Sequence, residues 1–349
     1  MPLADVVDAV WYGDAPAARL TRGLLAPLSG LFAAVVARRN ARYDAASVVP
    51  SPIPAISIGN LTVGGTGKTP VSAWFAAELR ARGATPAIVM RGYGDDEVLV
   101  HALLNPDVRV FAGADRVALV RAAAAAGADI AILDDAFQHR RAARVADVVL
   151  VSADRWRDDV RLLPAGPFRE PLASLERASM VVATVKAADS ARVAACVRAV
   201  RAATTVPIVT IDLVPGVPRP VHPERAPSAY PAEGTGRVLA VSAIGDPAAF
   251  LRQLRQGGSD ATPLSFADHH AFDARDVKRI ITAAASCAAV VCTLKDAVKL
   301  GPIWPGDAVP LWYLPQSVVP RDGVAALDAL VRQVLEARRN GPSFSDLSR

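Results

Sequence analysis

Residues 53–69 read Ile-Pro-Ala-Ile-Ser-Ile-Gly-Asn-Leu-Thr-Val-Gly-Gly-Thr-Gly-Lys-Thr and restrict the fold more than any other stretch. An Ile-rich apolar run passes into a glycine-rich turn ending in Gly-Lys-Thr, and an Ala-rich segment of helical composition follows from Val71 to Arg82. Strand, glycine loop and helix in that order make a phosphate-binding unit. Without a Cβ at Gly64, Gly65 and Gly67, backbone N–H groups can wrap phosphate oxygens, and the helix N-terminus adds positive potential. Thr62, Val63, Gly64, Gly65, Thr66, Gly67, Lys68 and Thr69 are the expected nucleotide contacts. Lys68 is expected to reach the β- and γ-phosphates and the Thr69 hydroxyl to ligate Mg²⁺. Thr62 stands where the general motif has Gly.

At 349 residues the chain exceeds what one hydrophobic core usually holds, so two α/β domains are expected. A net charge of +5 suits an anionic partner: nucleotide, nucleic acid or acidic membrane. Cys196, Cys287 and Cys292 have neither metal-ligand spacing nor a disulfide framework, which predicts a reducing compartment. No apolar run is expected to reach the roughly 18 to 20 residues of a spanning helix. The nearest, Gly23 to Val36, predicts an amphipathic helix kinked at Pro27, with Arg19, Arg22, Arg38 and Arg39 at its ends. Such a helix either lies in a membrane interface or packs on the domain.

Further motifs follow strand-like runs, where open α/β sheets place ligands. Pro86 to Met90 leads into Arg91-Gly-Tyr93-Gly-Asp-Asp96-Glu97, which crowds three carboxylates together. A strand ending in Asp134-Asp135 carries the acidic pair that holds a Mg²⁺ shell beside a phosphate loop, and Gln138 and His139 lie just beyond it. Arg161-Leu-Leu-Pro-Ala-Gly-Pro-Phe-Arg169-Glu-Pro171 is too rich in Pro and Gly for a helix or central strand. It predicts a shaped loop whose Arg161 and Arg169 clamp an anionic substrate group. Proline-rich residues 215–231 predict a linker. The expected division is an N-terminal helix over 1–48, a phosphate-loop domain over 49–206, a linker over 207–235, an α/β domain over 236–340 and a disordered tail over 341–349. Adjacent His269 and His270 suit acid/base work better than one metal ion.

In this order, Ser57 to Pro70, Arg91-Gly-Tyr-Gly94, Asp134-Asp135 with Gln138-His139, Arg161 to Pro171, Phe266-Ala-Asp-His269 and Lys295-Asp-Ala-Val-Lys299 resemble the tetraacyldisaccharide 4′-kinase family, the lipid A kinases of Gram-negative bacteria. The Pro-Gly-Pro-Phe-Arg-Glu-Pro loop and the later Asp-His make the resemblance specific, and Thr62 is typical of that family. The resemblance implies a phosphate-loop α/β/α domain and a smaller α/β domain joined by a short β linker. It implies transfer of the ATP γ-phosphoryl to the 4′-hydroxyl of tetraacyldisaccharide 1-phosphate at the cytoplasmic face of the inner membrane, with Mg²⁺, no nucleic acid and no obligate protein partner. It maps the catalytic Asp to Asp96, with Asp95 the adjacent alternative, and the supporting His to His269. Arg91, Tyr93, Glu97, Gln138, Arg161 and Arg169 are the implied substrate contacts. Three departures stand out: Asp-Asp-Ala136 for Asp-Asp-Gly, a shortened stretch before Asp95, and Thr-Leu294-Lys-Asp for Thr-Glu-Lys-Asp. A membrane- or DNA-associated regulatory ATPase is the competing expectation; it has no need of the Asp-His pair or the Pro-Gly-Pro loop.

Overall fold

The computed structural model describes residues 3–92, 96–227, 229–230, 236–244, 247–267 and 270–340, without the side chains of residues 3–5 and 96. Two helices come first, α1 (Leu3–Tyr12) and α2 (Pro16–Asp44). Then come β1 (Ala55–Asn60), α3 (Lys68–Ala81), β2 (Pro86–Met90), α4 (Asp96–Leu104), β3 (Arg109–Ala112), α5 (Arg116–Ala125) and β4 (Ile130–Asp134). The chain continues through β5 (Ala146–Ser152), β6 (Met180–Val185), α6 (Ser190–Ala203), β7 (Ile208–Pro215) and β8 (Arg219–Pro220). The later elements are β9 (Val238–Ser242), α7 (Pro247–Gln256), β10 (Ala261–Ser265), α8 (Ala274–Ala283), β11 (Ala289–Thr293), α9 (Leu294–Leu300), β12 (Leu311–Leu314), β13 (Gln316–Asp322) and α10 (Val324–Asn340).

These elements form two compact units: Met1–Gly92 with Asp107–Leu213 and Val318–Arg349, and Tyr93–Pro106 with Val214–Ser317. Among the described residues, the first unit's sheet runs β13-β7-β6-β5-β1-β4-β2-β3, with the pairs from β7 to β3 parallel. Strands β1, β2, β4 and β6 are buried along their whole length, as their unbroken apolar runs require when helices cover both faces. The chain leaves β1 toward β2 and β3, returns through β4, and then crosses to β5 on the other side. The carboxyl end of β1 is therefore the topological switch point, and the glycine loop starts there.

The observed units differ from the division expected of the sequence in three places. Strand β7 extends the first sheet beside β6 instead of starting a linker. Helix α10 also belongs to the first unit: Leu327, Leu330, Val331, Val334 and Leu335 join the core cluster of Ile56, Phe75 and Leu79. Its apolar stripe needs a sheet face, and the ion pairs Arg82–Asp328 and Arg338–Asp129, both at 2.7 Å, select this one. Helix α4 belongs to the second unit, where it packs on α9 and the Tyr313 hydroxyl donates to the Leu103 carbonyl at 3.1 Å. The second sheet is β10-β9-β11-β12-β8, parallel except for the β8–β12 pair.

Helix α2 also departs from expectation. With Pro27 inside it, the helix spans 29 residues and is long and apolar enough to cross a membrane by length and composition. Arg22, Ser29 and Val36 recur every seven residues and lie toward the protein, where Arg22 and Val36 are buried. Leu20, Leu24, Leu28, Leu31 and Val35 are 66%, 72%, 53%, 65% and 60% exposed on the other face.

Candidate active site

Asn60, the last residue of β1, is a fully buried polar hub. Its side-chain amide donates to the Thr66 hydroxyl at 2.8 Å, and its carbonyl accepts from Gln138 Nε2 at 2.9 Å and from Arg169 Nη2 at 3.2 Å. Arg169 Nη2 also donates to Asn60 Oδ1. From the far side of the loop, the Thr184 hydroxyl donates to the Thr66 carbonyl at 3.0 Å. Gly64 and Gly67 adopt φ of 104° and 87°, which L side chains resist. A Cβ on Gly67 would also lie 2.4 Å from Leu213 Cδ1. Gly67 precedes the first turn of α3, so the N–H groups of that turn face the open loop.

The parallel register sets Ile58 of β1 opposite Asp134 of β4, so the acidic pair leaves its strand beside the glycine loop. Asp134 is buried and accepts from the Ser72 hydroxyl at 3.1 Å and the Asp135 N–H at 3.0 Å. Asp135 lies 3.7 Å from Lys68 Nζ and 3.0 Å from Arg169 Nη2. Burial acts to raise its carboxyl, but Lys68 and Arg169 outweigh burial and hold it below the usual carboxylate range. Among the described residues Asp135 is the non-glycine residue with a positive φ, 50°. The left-handed position thus falls on the second Asp. Ala136, buried and without positive φ, takes the place of Gly at no backbone cost.

Thr69, Asp134 and Asp135 offer oxygen donors only, the set Mg²⁺ prefers when one or two carboxylates share it with water and phosphate. They fit that ion. The described residues contain no cluster of three or more His, Cys, Asp or Glu that would build a closed all-protein cage.

Arg161 and Arg169 do not converge. Arg169 serves the phosphate loop, whereas Arg161 Nε faces Asp159 at 3.4 Å. The turn between them is tight, since a Cβ on Gly166 would lie 2.4 Å from the Arg161 carbonyl oxygen. The two guanidinium groups meet different partners, Asp159 and Asp135, so the shared clamp expected of the loop is not formed among the described contacts. The loop braces the phosphate loop instead: Val63 N–H donates to the Pro167 carbonyl at 2.8 Å, Arg169 N–H donates to the Leu61 carbonyl at 2.6 Å, and Thr62 bridges Phe168. Glu170, with no exposed surface, is held by Arg39 at 2.7 Å, Arg177 at 2.8 Å and Asn40 at 3.1 Å. Burial acts to raise that carboxyl too, and Arg177 and its other donors bring it below its ordinary value.

Arg91 is exposed at the end of β2, and Glu97 is exposed in the first turn of α4. Tyr93, Asp95, His269 and the Asp96 side chain lie outside the described residues. Burial, with Arg116 next in effect, lowers the pKa of His139. Beside His269, the His270 ring stacks on Phe266 with centroids 5.0 Å apart, and its Nε2 lies 2.8 Å from Asp276 Oδ2. Leu294, the departure in the Lys-Asp motif, packs against the apolar cluster under α9. Asn60, Ser72, Thr184 and Glu170 escaped the sequence reading. Asn60 and Thr184 stand at or next to a strand end and Glu170 beside a proline, whereas Ser72, inside α3, carries no such mark.

A family model described as tetraacyldisaccharide-1-P 4′-kinase matches residues 21–336. A tetraacyldisaccharide 4′-kinase of Halorhodospira halophila is 36% identical over 335 residues, covering 90% of this chain and 93% of its own length. One from Anaeromyxobacter sp. strain Fw109-5 is 38% identical over 339 residues, covering 86% of this chain and 89% of its own. Among solved structures, LpxK from Aquifex aeolicus in complex with ATP superposes with a TM-score of 0.71 at 26% identity, covering 90% of this chain and 99% of that one.

Proposed function

Because the chain belongs to the tetraacyldisaccharide-1-P 4′-kinase family, we infer that it transfers the γ-phosphoryl group of ATP to the 4′-hydroxyl of tetraacyldisaccharide 1-phosphate, a step of lipid A biosynthesis. The observation that carries this reading at the level of residues is the constellation at the ends of β1 and β4, where Lys68, Asp135 and Arg169 meet around the glycine loop.

Phosphoryl transfer needs positioning and neutralisation of charge more than covalent help from the protein. Lys68 pairs with Asp135 in this structure and is free to turn to an incoming triphosphate, leaving Asp135 with Arg169. Thr69 and Asp134 would hold Mg²⁺, whose charge neutralises the β- and γ-phosphate oxygens. Asp96 is assigned as acceptor of the 4′-hydroxyl proton and His269 as its support; neither is expected to hold the triphosphate. NMR of the product should place the new phosphate on the 4′ oxygen. Phosphate on another hydroxyl, or release of inorganic phosphate alone, would overturn the assignment.

The acceptor is a lipid, and the exposed stripe from Leu20 to Val35 supports an interfacial seat for α2 at the cytoplasmic face of the inner membrane, where ATP is at hand. The docked face of the same helix, with Arg22 and Val36 buried, favours lying along the surface over spanning. Replacing Leu24, Leu28 and Leu31 together by Ser should reduce flotation with anionic vesicles by more than tenfold. Each Leu forfeits about 1.5–3 kcal/mol of apolar burial. The fold should persist, because all three are largely exposed. Unchanged flotation would remove the interfacial role. Deleting the whole helix is a poorer test, since it strips Arg39 and Asn40 from buried Glu170 as well.

A further inference from the structure

Helix α2 does more than present an apolar stripe. On its docked face the Ser29 hydroxyl donates to the Leu162 carbonyl at 2.9 Å and accepts from the Ala165 N–H at 3.1 Å. One side chain thus pins both ends of the Leu162–Ala165 turn. Trp11 of α1 adds a third tie, donating from Nε1 to the Pro164 carbonyl at 3.0 Å. The turn closes on itself through Gly166 N–H to the Leu162 carbonyl at 3.0 Å and Leu163 N–H to the Phe168 carbonyl at 2.9 Å. Its far end is the strut already described, Pro167 and Phe168 against Val63 and Thr62. Hydrogen bonds at both ends of the short 162–168 backbone therefore join the lipid-facing helix to the loop that wraps phosphate.

We propose that Ser29 is a positioning residue of the nucleotide site: through the 162–168 turn it sets the phosphate loop in the geometry that binds ATP. The lipid-facing helix is then a working part of the ATP site, and what disturbs its docked face is felt by the nucleotide. A glycine-rich loop has little stiffness of its own, since Gly64 and Gly65 lack side chains that could pack it. Its bracing must come from outside, and the 162–168 turn is the brace on this side. Glu170 fastens the C-terminal part of α2 separately through Arg39 and Asn40, so loss of the Ser29 contacts leaves the helix attached.

The inference rests on the phosphate-loop assignment above, and calorimetric titration of ATP into the full chain tests it without turnover. Ser29→Ala should weaken ATP binding about two- to tenfold, the worth of roughly one hydrogen bond. Ser29→Thr, which keeps the hydroxyl, should restore it. Thr21→Ala is the control: it removes a hydroxyl from the same helix that bonds the helix's own Ala17 carbonyl, and should leave ATP affinity unchanged. Wild-type affinity in Ser29→Ala would overturn the proposal. So would equal weakening in Thr21→Ala, which would mean a general effect of disturbing the helix. Failure of the kinase reading would show differently, as intact ATP binding without transfer to the lipid.

Discussion

Lys68→Ala should lower kcat by about 10²- to 10³-fold, the usual loss when a charge aimed at a developing phosphoryl oxygen is removed. Lys68 leads the first turn of α3, and in this structure its ammonium has Asp135 as an ion-pair partner at 3.7 Å. Removing it leaves Asp135 paired with Arg169, and no buried group loses its only partner. The melting temperature should therefore stay within a few degrees of wild type while turnover collapses. Lys68→Arg should rescue little, because a planar fork does not reproduce a compact ammonium in a loop shaped around it. Wild-type turnover in Lys68→Ala would detach the glycine loop from catalysis altogether.

The second large effect concerns Asp96 and His269, assigned as one proton-handling unit. Asp96→Ala should cost about 10²- to 10⁴-fold in kcat, the range of general-base contributions, with the KM for ATP little changed. If His269 acts through Asp96, the double variant should lose far less than the product of the two single losses. Asp95→Ala marks the neighbouring carboxylate and should be mild. A crippled Asp95→Ala with an active Asp96→Ala would move the base by one residue. Independent, multiplying losses would dissolve the coupled pair and leave His269 a separate role.

How much of this was legible in the sequence depends on how local the signal is. The glycine loop and the acidic pair at the end of β4 are written in adjacent residues, so spacing alone places them. Helix α10 lies inside the α/β domain expected over 236–340, yet it joins the first unit. Which sheet receives it is not legible, because an amphipathic helix encodes only the need for an apolar face, and its ion pairs to Arg82 and Asp129 are remote in sequence. Strand β7 was misassigned for a related reason, since its proline-rich continuation masks its pairing with β6. The full length of α2 is not legible, because Arg22, Arg38 and Arg39 bound its apolar run while the helix extends beyond them on both sides. Here Ser29, Arg39 and Asn40 anchor the helix beyond the proline from distant parts of the chain.

The site shows the same division. Lys68, Thr69, Asp134 and Asp135 follow from motif spacing, and the fold brings Lys68 Nζ within 3.7 Å of Asp135. Arg169 was singled out for a substrate anion, whereas its contacts tie it to Asn60 and Asp135. Asn60 lies within the glycine-loop stretch and Glu170 within the Pro-Gly-Pro-Phe-Arg-Glu-Pro loop, yet neither motif gives them a role. Each is a buried polar group whose partners come from separated segments, and only the folded chain brings those partners together. The positive φ of Asp135 rather than Ala136 likewise belongs to backbone geometry that the sequence of the pair does not specify.

The central claim is the transfer itself. ATP labelled in its γ-phosphate, incubated with the full chain and tetraacyldisaccharide 1-phosphate in mixed micelles, tests it most directly. The account predicts label in the lipid, dependent on Mg²⁺ and on Lys68. Label released only as inorganic phosphate, at the same rate with and without the lipid, would contradict it.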